Sequence, residues 1–332
     1  MYETSWLQLH QSDPGLDSYE DRTLYSTWRI SLDRLQQQND LTVKLLRLWC
    51  YFSNQDLWFE LLCAGSAKHL PWTQKLTSNI IVFSDAMRLL CNYGLVEPVK
   101  VDAYQGDSES GGYSIHSYVH SWSIHVLNDE WDGTLAGFAV EAVAQHVPYL
   151  SSGRSWATQR RLLQHAERCS QYLKEGLIVR SGIGRYLILL GHLYRDQARL
   201  QDAHAMYQWA LRENERSYGP EHVATLSSVQ CLGDFYSDQG KLSDAAALYQ
   251  RVLAGYEKVQ EPEHTSTLDV LHHLGQIYLE QNELSNAESM YWRALQGRET
   301  VLGPDHLSTL ATAGNLSAVS YTHLTLPTKR IV

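Results

Sequence analysis

From about Ile178 onward the apolar positions of the chain fall at helical spacing and then recur with a second, longer period. Leu190-Gly191-His192-Leu193-Tyr194 returns as Leu232-Gly233-Asp234-Phe235-Tyr236 and again as Leu274-Gly275-Gln276-Ile277-Tyr278, a step of 42 residues. Ala203, Ala245 and Ala287 keep that step, as do Tyr207, Tyr249 and Tyr291, and Leu211, Leu253 and Leu295. A third set lies between them: Gly219-Pro220-Glu221-His222, Glu261-Pro262-Glu263-His264 and Gly303-Pro304-Asp305-His306. Three marker sets in one register define an internal repeat.

Residue types give the repeat its physical form. Apolar residues around each Leu-Gly-x-x-Tyr (Leu226, Leu232, Phe235 and Tyr236 in the second copy) predict a first helix. Its glycine, lacking a Cβ, admits a close neighbour. A polar turn at Asp238-Gln239-Gly240-Lys241 leads to a second helix, Ser243 to about Lys258, with Ser243 and Ser285 as N-caps. Ala245 leaves room for the first helix, and Tyr249 and Leu253 fill the space one and two turns on. Gly219 and Gly303 are expected to end helices in the left-handed region, with the next proline in the first turn of the following helix.

These strings resemble tetratricopeptide repeats in their long, kinesin-light-chain-like form, over about Ile178 to Ser317. The resemblance implies an α-α solenoid whose first helices line a concave groove for a protein or peptide. Carried onto this chain, the groove residues are His192, Arg195, Asp234, Asp238, His272, His273, Gln276 and Glu280. Where kinesin light chains carry an Asn pair before the Leu-Gly, this chain has Ile188-Leu189, Gln230-Cys231 and His272-His273.

The N-terminal half is patterned without repeating. Leu24, Trp28, Leu32 and Leu35 make one stripe of a helix over 19–38, and Leu41, Leu45, Leu48 and Trp49 mark another from about Asp40 to Tyr51. Asp56 to Leu62 reads as a short third helix. Ser84 is placed to cap a fourth that buries Ala86, Leu89, Leu90 and Tyr93 and stops at Gly94. Leu95–Val101 has extended character, Asp102–Gly112 is a turn, and Tyr113–Val119 a returning strand. Helices followed by a hairpin form a winged-helix pattern.

Several strings here resemble the winged-helix segment after the nucleotide-binding domain of fungal NB-ARC/NACHT (STAND) NTPases. They are Ser-Tyr-Glu-Asp-Arg-Thr-Leu (18–24), Leu-Leu-Arg-Leu-Trp (45–49), Asp-Leu-Trp-Phe-Glu-Leu-Leu (56–62), Asn-Tyr-Gly-Leu-Val-Glu (92–97), Ile-His-Ser-Tyr-Val-His-Ser-Trp (115–122) and Arg-Arg-Leu-Leu-Gln-His-Ala (160–166). The resemblance implies a nucleotide-sensing role for His116, which matches the His of that family's Met-His-Asp motif, exercised only with an upstream nucleotide-binding domain. ADP or ATP is expected there; no cofactor is expected on this chain alone.

The resulting organisation is mostly α. A linker helix region (1–38) precedes a winged-helix-like domain (39–128) and a helical junction (129–177). Repeats of kinesin-light-chain-like type follow (178–317), then a tail (318–332). The tail departs from the period: Ser320 stands where the next Tyr is due, and Val319–Thr328 resembles a translated sequencing-library adapter. The expectation is a coding sequence truncated after Ser317, a last repeat without its second helix, and an apolar helix face left open.

Composition narrows function. Of 332 residues 44% are hydrophobic and 19% charged, enough apolar side chain for a sizeable core. A formal net charge of -10 argues against nucleic acid as partner, and between Asp40 and Val101 basic and acidic residues nearly balance, which argues against a DNA-reading helix. The five cysteines are scattered, as reduced thiols in a cytoplasmic setting would be. No apolar run suits a membrane span, and no secretory signal is visible at the N-terminus. The sequence has no Gly-x-x-x-x-Gly-Lys-[Ser/Thr], no Gly-x-Ser-x-Gly and no His-Glu-x-x-His, so no catalytic constellation is expected. His116, His120 and His125 lack the partners of a metal site. The expected function is a non-enzymatic interaction and control module of a STAND-type signalling NTPase. The alternative is a kinesin-light-chain-like adaptor or scaffold.

Overall fold

The computed structural model describes residues 19–65, 70–99, 111–147, 155–178, 182–259 and 264–325. The chain folds as two units, Met1–Arg180 and Ser181–Val332.

The first unit contains α1 (Tyr19–Gln38), α2 (Asp40–Trp49), α3 (Phe59–Cys63), α4 (Pro71–Thr77), α5 (Ile80–Asn92), β1 (Glu97–Pro98), β2 (Tyr113–Ser114), α6 (Ser117–Leu127), α7 (Gly133–Gln145) and α8 (Ser155–Lys174). Leu32 and Leu35 of α1 are buried, and Trp28 packs on Trp122 with ring centroids 5.6 Å apart. The side chain of Leu24 lies outside the described residues. Asn39 caps α2 by accepting from the Leu41 amide at 3.0 Å. The third helix starts at Phe59 instead of Asp56, because Asp56 has φ +51° and Leu57 is paired to Tyr113 through its backbone. α5 starts at Ile80, capped by Asn79 in place of Ser84, which lies exposed inside the helix. Its buried stripe is Phe83, Ala86, Met87 and Leu90, with Leu89 and Tyr93 half-buried beside it. Gly94 ends the helix with φ +66°.

β1 and β2 pair antiparallel, Glu97 opposite Ser114 and Pro98 opposite Tyr113. Most of the turn placed at Asp102–Gly112 lies outside the described residues, as do Lys100 and Val101. The returning strand stops at Ser114. Residues 117–119 are helical instead, because His116 accepts the Tyr118 amide on Nδ1 (3.4 Å) and caps α6.

Helix α8 is tied to the 53–58 segment by a half-buried cluster. Arg161 makes two bonds to the Asp56 carboxylate (2.8 and 3.0 Å) and lies 4.0 Å over the Trp58 ring. The fully buried His165 accepts the Ser53 amide on Nδ1 at 3.1 Å, so its Nε2–H donates to the Asp56 carbonyl at 3.2 Å.

The second unit is a succession of helix pairs: α9 (Gly184–Asp196) with α10 (Leu200–Tyr218), α11 (Val223–Asp238) with α12 (Leu242–Val259), α13 (Thr265–Glu280) with α14 (Leu284–Leu302), and then α15 (Leu307–Thr325). Within each pair the glycine of the first helix carries the tyrosine ring of the second. A Cβ at Gly191 would stand 2.5 Å from Tyr207, at Gly233 3.0 Å from Tyr249 and at Gly275 2.8 Å from Tyr291. Ala203, Ala245 and Ala287 are fully buried beneath. The turns also keep register: Ala198, Gly240 and Asn282 all take positive φ, and the next amide returns to the carbonyl of Tyr194, Tyr236 or Tyr278. Salt bridges between second helices repeat at the same step, Arg251 to Glu215 and Arg293 to Glu257, both 2.6 Å.

The predicted helix ends need three corrections. Ser243 and Ser285 lie one residue inside α12 and α14 and cap neither. The caps of α11, α13 and α15 are the motif histidines: His222, His264 and His306 each accept the amide two residues on (3.1, 3.2 and 3.2 Å). Pro220 and Pro304 therefore precede the cap and sit outside the first helical turn. Gly219 and Gly303 have positive φ as expected, but ψ of 168° and 163° puts them in an extended region open essentially only to glycine. The corresponding Glu261, with Pro262 and Glu263, lies outside the described residues. At the C-terminal end, α15 runs through Ser317 to Thr325. Val319 falls one period after Ile277 and is buried against Ala287 and Tyr291. The tail beyond Thr325 lies outside the described residues.

Candidate functional site

The first helices of successive pairs set their predicted groove residues along one wall. His192 and Asp234 follow Gly191 and Gly233 directly, so the tyrosine that rests on each glycine reaches them with its hydroxyl. Tyr207 hydrogen-bonds His192 Nδ1 at 2.8 Å, and Tyr249 donates to the Asp234 carboxylate. Burial lowers the His192 pKa to about 4, so the ring is neutral. Burial also raises the pKa of Asp234, against the bond from Tyr249 and the nearby His273, which lower it.

Arg195 lies 3.7 Å from Asp196 and 3.7 Å from Asp238, joining the wall of the first pair to that of the second. On α13, His272 contacts Thr312 Oγ1 at 3.2 Å, and burial lowers its pKa to about 4. The His273 ring lies 5.6 Å from that of Tyr249, and its Nδ1 is buried without a hydrogen-bond partner. Gln276 and Glu280 are exposed and paired with each other at 3.3 Å. The wall thus joins His192 to Tyr207, Arg195 to Asp238, and Asp234 to Tyr249, while Gln276 and Glu280 form a separate exposed pair.

Basic residues are sorted between the two layers of helices from α10 onward. α11, α13 and α15 contain no Lys or Arg, whereas α10, α12 and α14 contain two each; α9 is the exception among the first helices, with Arg185 and Arg195. One buried arginine crosses between layers: Arg298 of α14 bonds Asp269 of α13 (2.5 Å), Thr312 Oγ1 (2.5 Å) and the Ser308 carbonyl (3.0 Å). Asn214 does the same work two repeats earlier, bonding the Ala224 carbonyl (3.0 Å) and Ser228 (2.8 Å). Sequence reasoning missed both, since position 214 reads Asn, then Tyr256, then Arg298 down the repeats, and only the shared 42-residue step could have flagged it.

His116 lies in the first unit, exposed and engaged as the cap of α6, with its ring stacked on Tyr118. Among the described residues, no three His, Cys, Asp or Glu side chains gather as metal ligands. No described helix is long and apolar enough to cross a membrane.

The geometry defines a class, a stack of antiparallel helix pairs with a polar inner wall. Comparison with known families agrees: tetratricopeptide-repeat families match residues 185–224 and residues 222–300. Residues 185–300 therefore carry tetratricopeptide repeats. No curated protein matches the chain. Among solved structures, the nearly identical TPR-like repeats of a Podosopora anserina protein described as a putative kinesin light chain are 19% identical (TM-score 0.44), covering 50% of this chain and 80% of that one. A point variant of the same repeats is also 19% identical (TM-score 0.45, covering 50% and 79%). BtubC (BKLC) from P. vanneervenii is 16% identical (TM-score 0.47, covering 82% and 92%).

Proposed function

We propose that this chain is a non-catalytic protein-binding module whose repeats hold a peptide or protein segment along α9, α11 and α13. The observation that carries this reading is the in-register wall of polar side chains, fixed from behind by Tyr207 and Tyr249 and presented by tetratricopeptide repeats. Side chains held this way lose little freedom on binding, which favours affinity. The test is to select short peptides on the full chain and map amide hydrogen exchange with the best binder present. Protection concentrated on α9, α11 and α13 is the expected result. Protection confined to α10, α12 and α14, or no binder at all, refutes the reading.

In its finer form the module is the control-and-sensor end of a cytoplasmic STAND-type NTPase. The first unit would act on an upstream nucleotide-binding domain that holds ADP or ATP, with His116 facing the nucleotide. Its support is the order of the family-like strings across 18–166 and the helices-then-hairpin arrangement around β1 and β2. The alternative, a kinesin-light-chain-like adaptor, draws on the 42-residue repeat alone. The DNA upstream of Met1 separates them: a Walker-type loop supports the first, and sustained coiled-coil heptads support the second.

A further inference from the structure

Helix α15 presents a stripe that no helix covers among the described residues. Leu307, Leu310, Gly314, Ala318 and Tyr321 are all exposed and fall three or four residues apart, on one side of the helix. Leu307 and Tyr321 are 82% and 71% exposed, more than any other large apolar side chain among the described residues. Thr309, Thr312 and Val319 are buried on the far side. The register of Leu310 is taken on α11 by Leu226 and on α13 by Leu268, and both of these are buried under the second helix of their pair. A Cβ at Gly255 of α12 would stand 2.6 Å from Leu226, and one at Gly297 of α14 2.3 Å from Leu268. Leu310 is 53% exposed. The stripe is thus a surface of the kind that the repeat elsewhere keeps inside.

An independent observation lies at its centre. Gly191, Gly233 and Gly275 each carry a tyrosine ring, and Gly255 and Gly297 each carry a leucine. Gly314 is as deep inside its helix, yet a Cβ there would meet nothing within 4 Å. It is not part of the repeated pattern either, since Gln230 and His272 hold that position in the two preceding pairs. Glycine weakens a helix interior, and no contact within the chain uses the space this one leaves.

Charge selects what fills that space. α11 carries Asp234 and Asp238, and α13 carries Asp269 and Glu280, whereas α15 has no Asp, Glu, Lys or Arg along its 19 residues. Such a surface offers nothing to a charged partner and can face its own copy without repulsion. Its side chains are also arranged for that. Positions 307 and 321, and 310 and 318, are equally far from 314, with the bulk at the two ends and the smallest residue in the middle.

We propose that α15 pairs antiparallel with α15 of a second copy of the chain, about a two-fold axis at Gly314. In this isologous contact Leu307 of each copy lies against Tyr321 of the other, and Leu310 against Ala318. The two glycines meet at the crossing and let the backbones come close.

The test is sedimentation velocity on the full chain. A single helix of 19 residues, about 28 Å long, covers less than the roughly 800 Å² per partner of a standard interface, so the measurement spans about 5–200 µM. A concentration-dependent dimer is expected. Gly314→Glu meets open space within one chain and should fold like the parent by circular dichroism. It sets two carboxylates together at the axis and should raise the dimer dissociation constant about tenfold or more. Gly314→Arg should do the same. An equimolar mixture of the two variants should dimerise again, because only a contact of position 314 with itself brings Glu opposite Arg. A parent that stays monomeric, or a dimer unmoved by Gly314→Glu, overturns the proposal. A dimer lost in both variants and not recovered in their mixture overturns the pairing about Gly314. A monomeric parent that binds a synthetic peptide of residues 284–302 overturns it too, by making the occupant a second helix of the repeat's own kind.

Discussion

Three glycines in equivalent places offer an internal calibration of how the repeats pack. Replacing a mid-helix glycine with alanine removes a helix penalty of about 1 kcal/mol, so in open space the change stabilises. Here the added methyl meets a tyrosine ring. It would stand 2.5, 2.8 and 3.0 Å from three ring carbons of Tyr207 at Gly191, with the closest approaches 2.8 Å at Gly275 and 3.0 Å at Gly233. Relaxed carbon contacts begin at about 3.5 Å, so the ring must retreat by about 1 Å at Gly191 and about half that at Gly233. Tyr207 is fully buried, and its hydroxyl is anchored to His192. Overpacking of this kind costs about 1–3 kcal/mol.

Against the helix gain, Gly191→Ala should lose about 1–2 kcal/mol net, whereas Gly233→Ala should fall near zero. Gly275→Ala should lie between them, eased by the unanchored Tyr291 hydroxyl. The assay is urea unfolding of the full chain followed by far-ultraviolet circular dichroism, read as midpoints because stacked repeats need not unfold in two states. A double variant, Gly191→Ala with Tyr207→Leu, should be less destabilised than the two single changes sum to. If all three alanines stabilise by the same amount, the rings do not rest on the glycines and the packing described above is wrong.

Two further outcomes are expected. His222→Ala and His264→Ala should each destabilise the repeats by about 1 kcal/mol in the same assay, with Asn at either position restoring most of the loss; Ala variants as stable as the parent would remove the histidines as caps. Burial lowers the His120 and His165 pKa values to about 4, below the 6.5 of an unfolded histidine, so between those values the unfolded chain binds protons first. The first unit should therefore lose stability as pH falls from about 6.5 toward 4, by up to about 1.4 kcal/mol per pH unit for each ring. Tryptophan emission reports this, since all tryptophans but Trp209 and Trp292 precede residue 181. A flat profile, or one unchanged by His165→Gln, would contradict it.

The repeat was legible because packing one helix on another at a fixed step demands the same side-chain sizes at the same step. Gly, Ala and Tyr recur for that reason, and their contacts followed directly. Helix ends were harder to read because they depend on single hydrogen bonds. Ser243 satisfies the usual capping preference but sits two residues past the cap position, while His222 supplies a ring nitrogen that propensity does not rank. Ser84 lost to Asn79 on the same ground. The polar bridges were hidden for a different reason: Asn214 and Arg298 differ in size and charge, and they converge only because each faces the same carbonyl and hydroxyl on the next helix.

The groove was legible as positions but not as chemistry. Spacing put His192, Asp234 and Gln276 at one level, and only the structure shows the first two bound to a tyrosine and the third turned away. That difference makes the third repeat the place where the wall has unspent polar capacity. Repeating His or Asp at position 276 would have given the Tyr291 hydroxyl the partner that Tyr207 and Tyr249 have. Gln276 instead bonds the exposed Glu280, and the buried hydroxyl is left without one. The groove's chemistry is therefore better read from where the repeat breaks its own pattern than from where it keeps it.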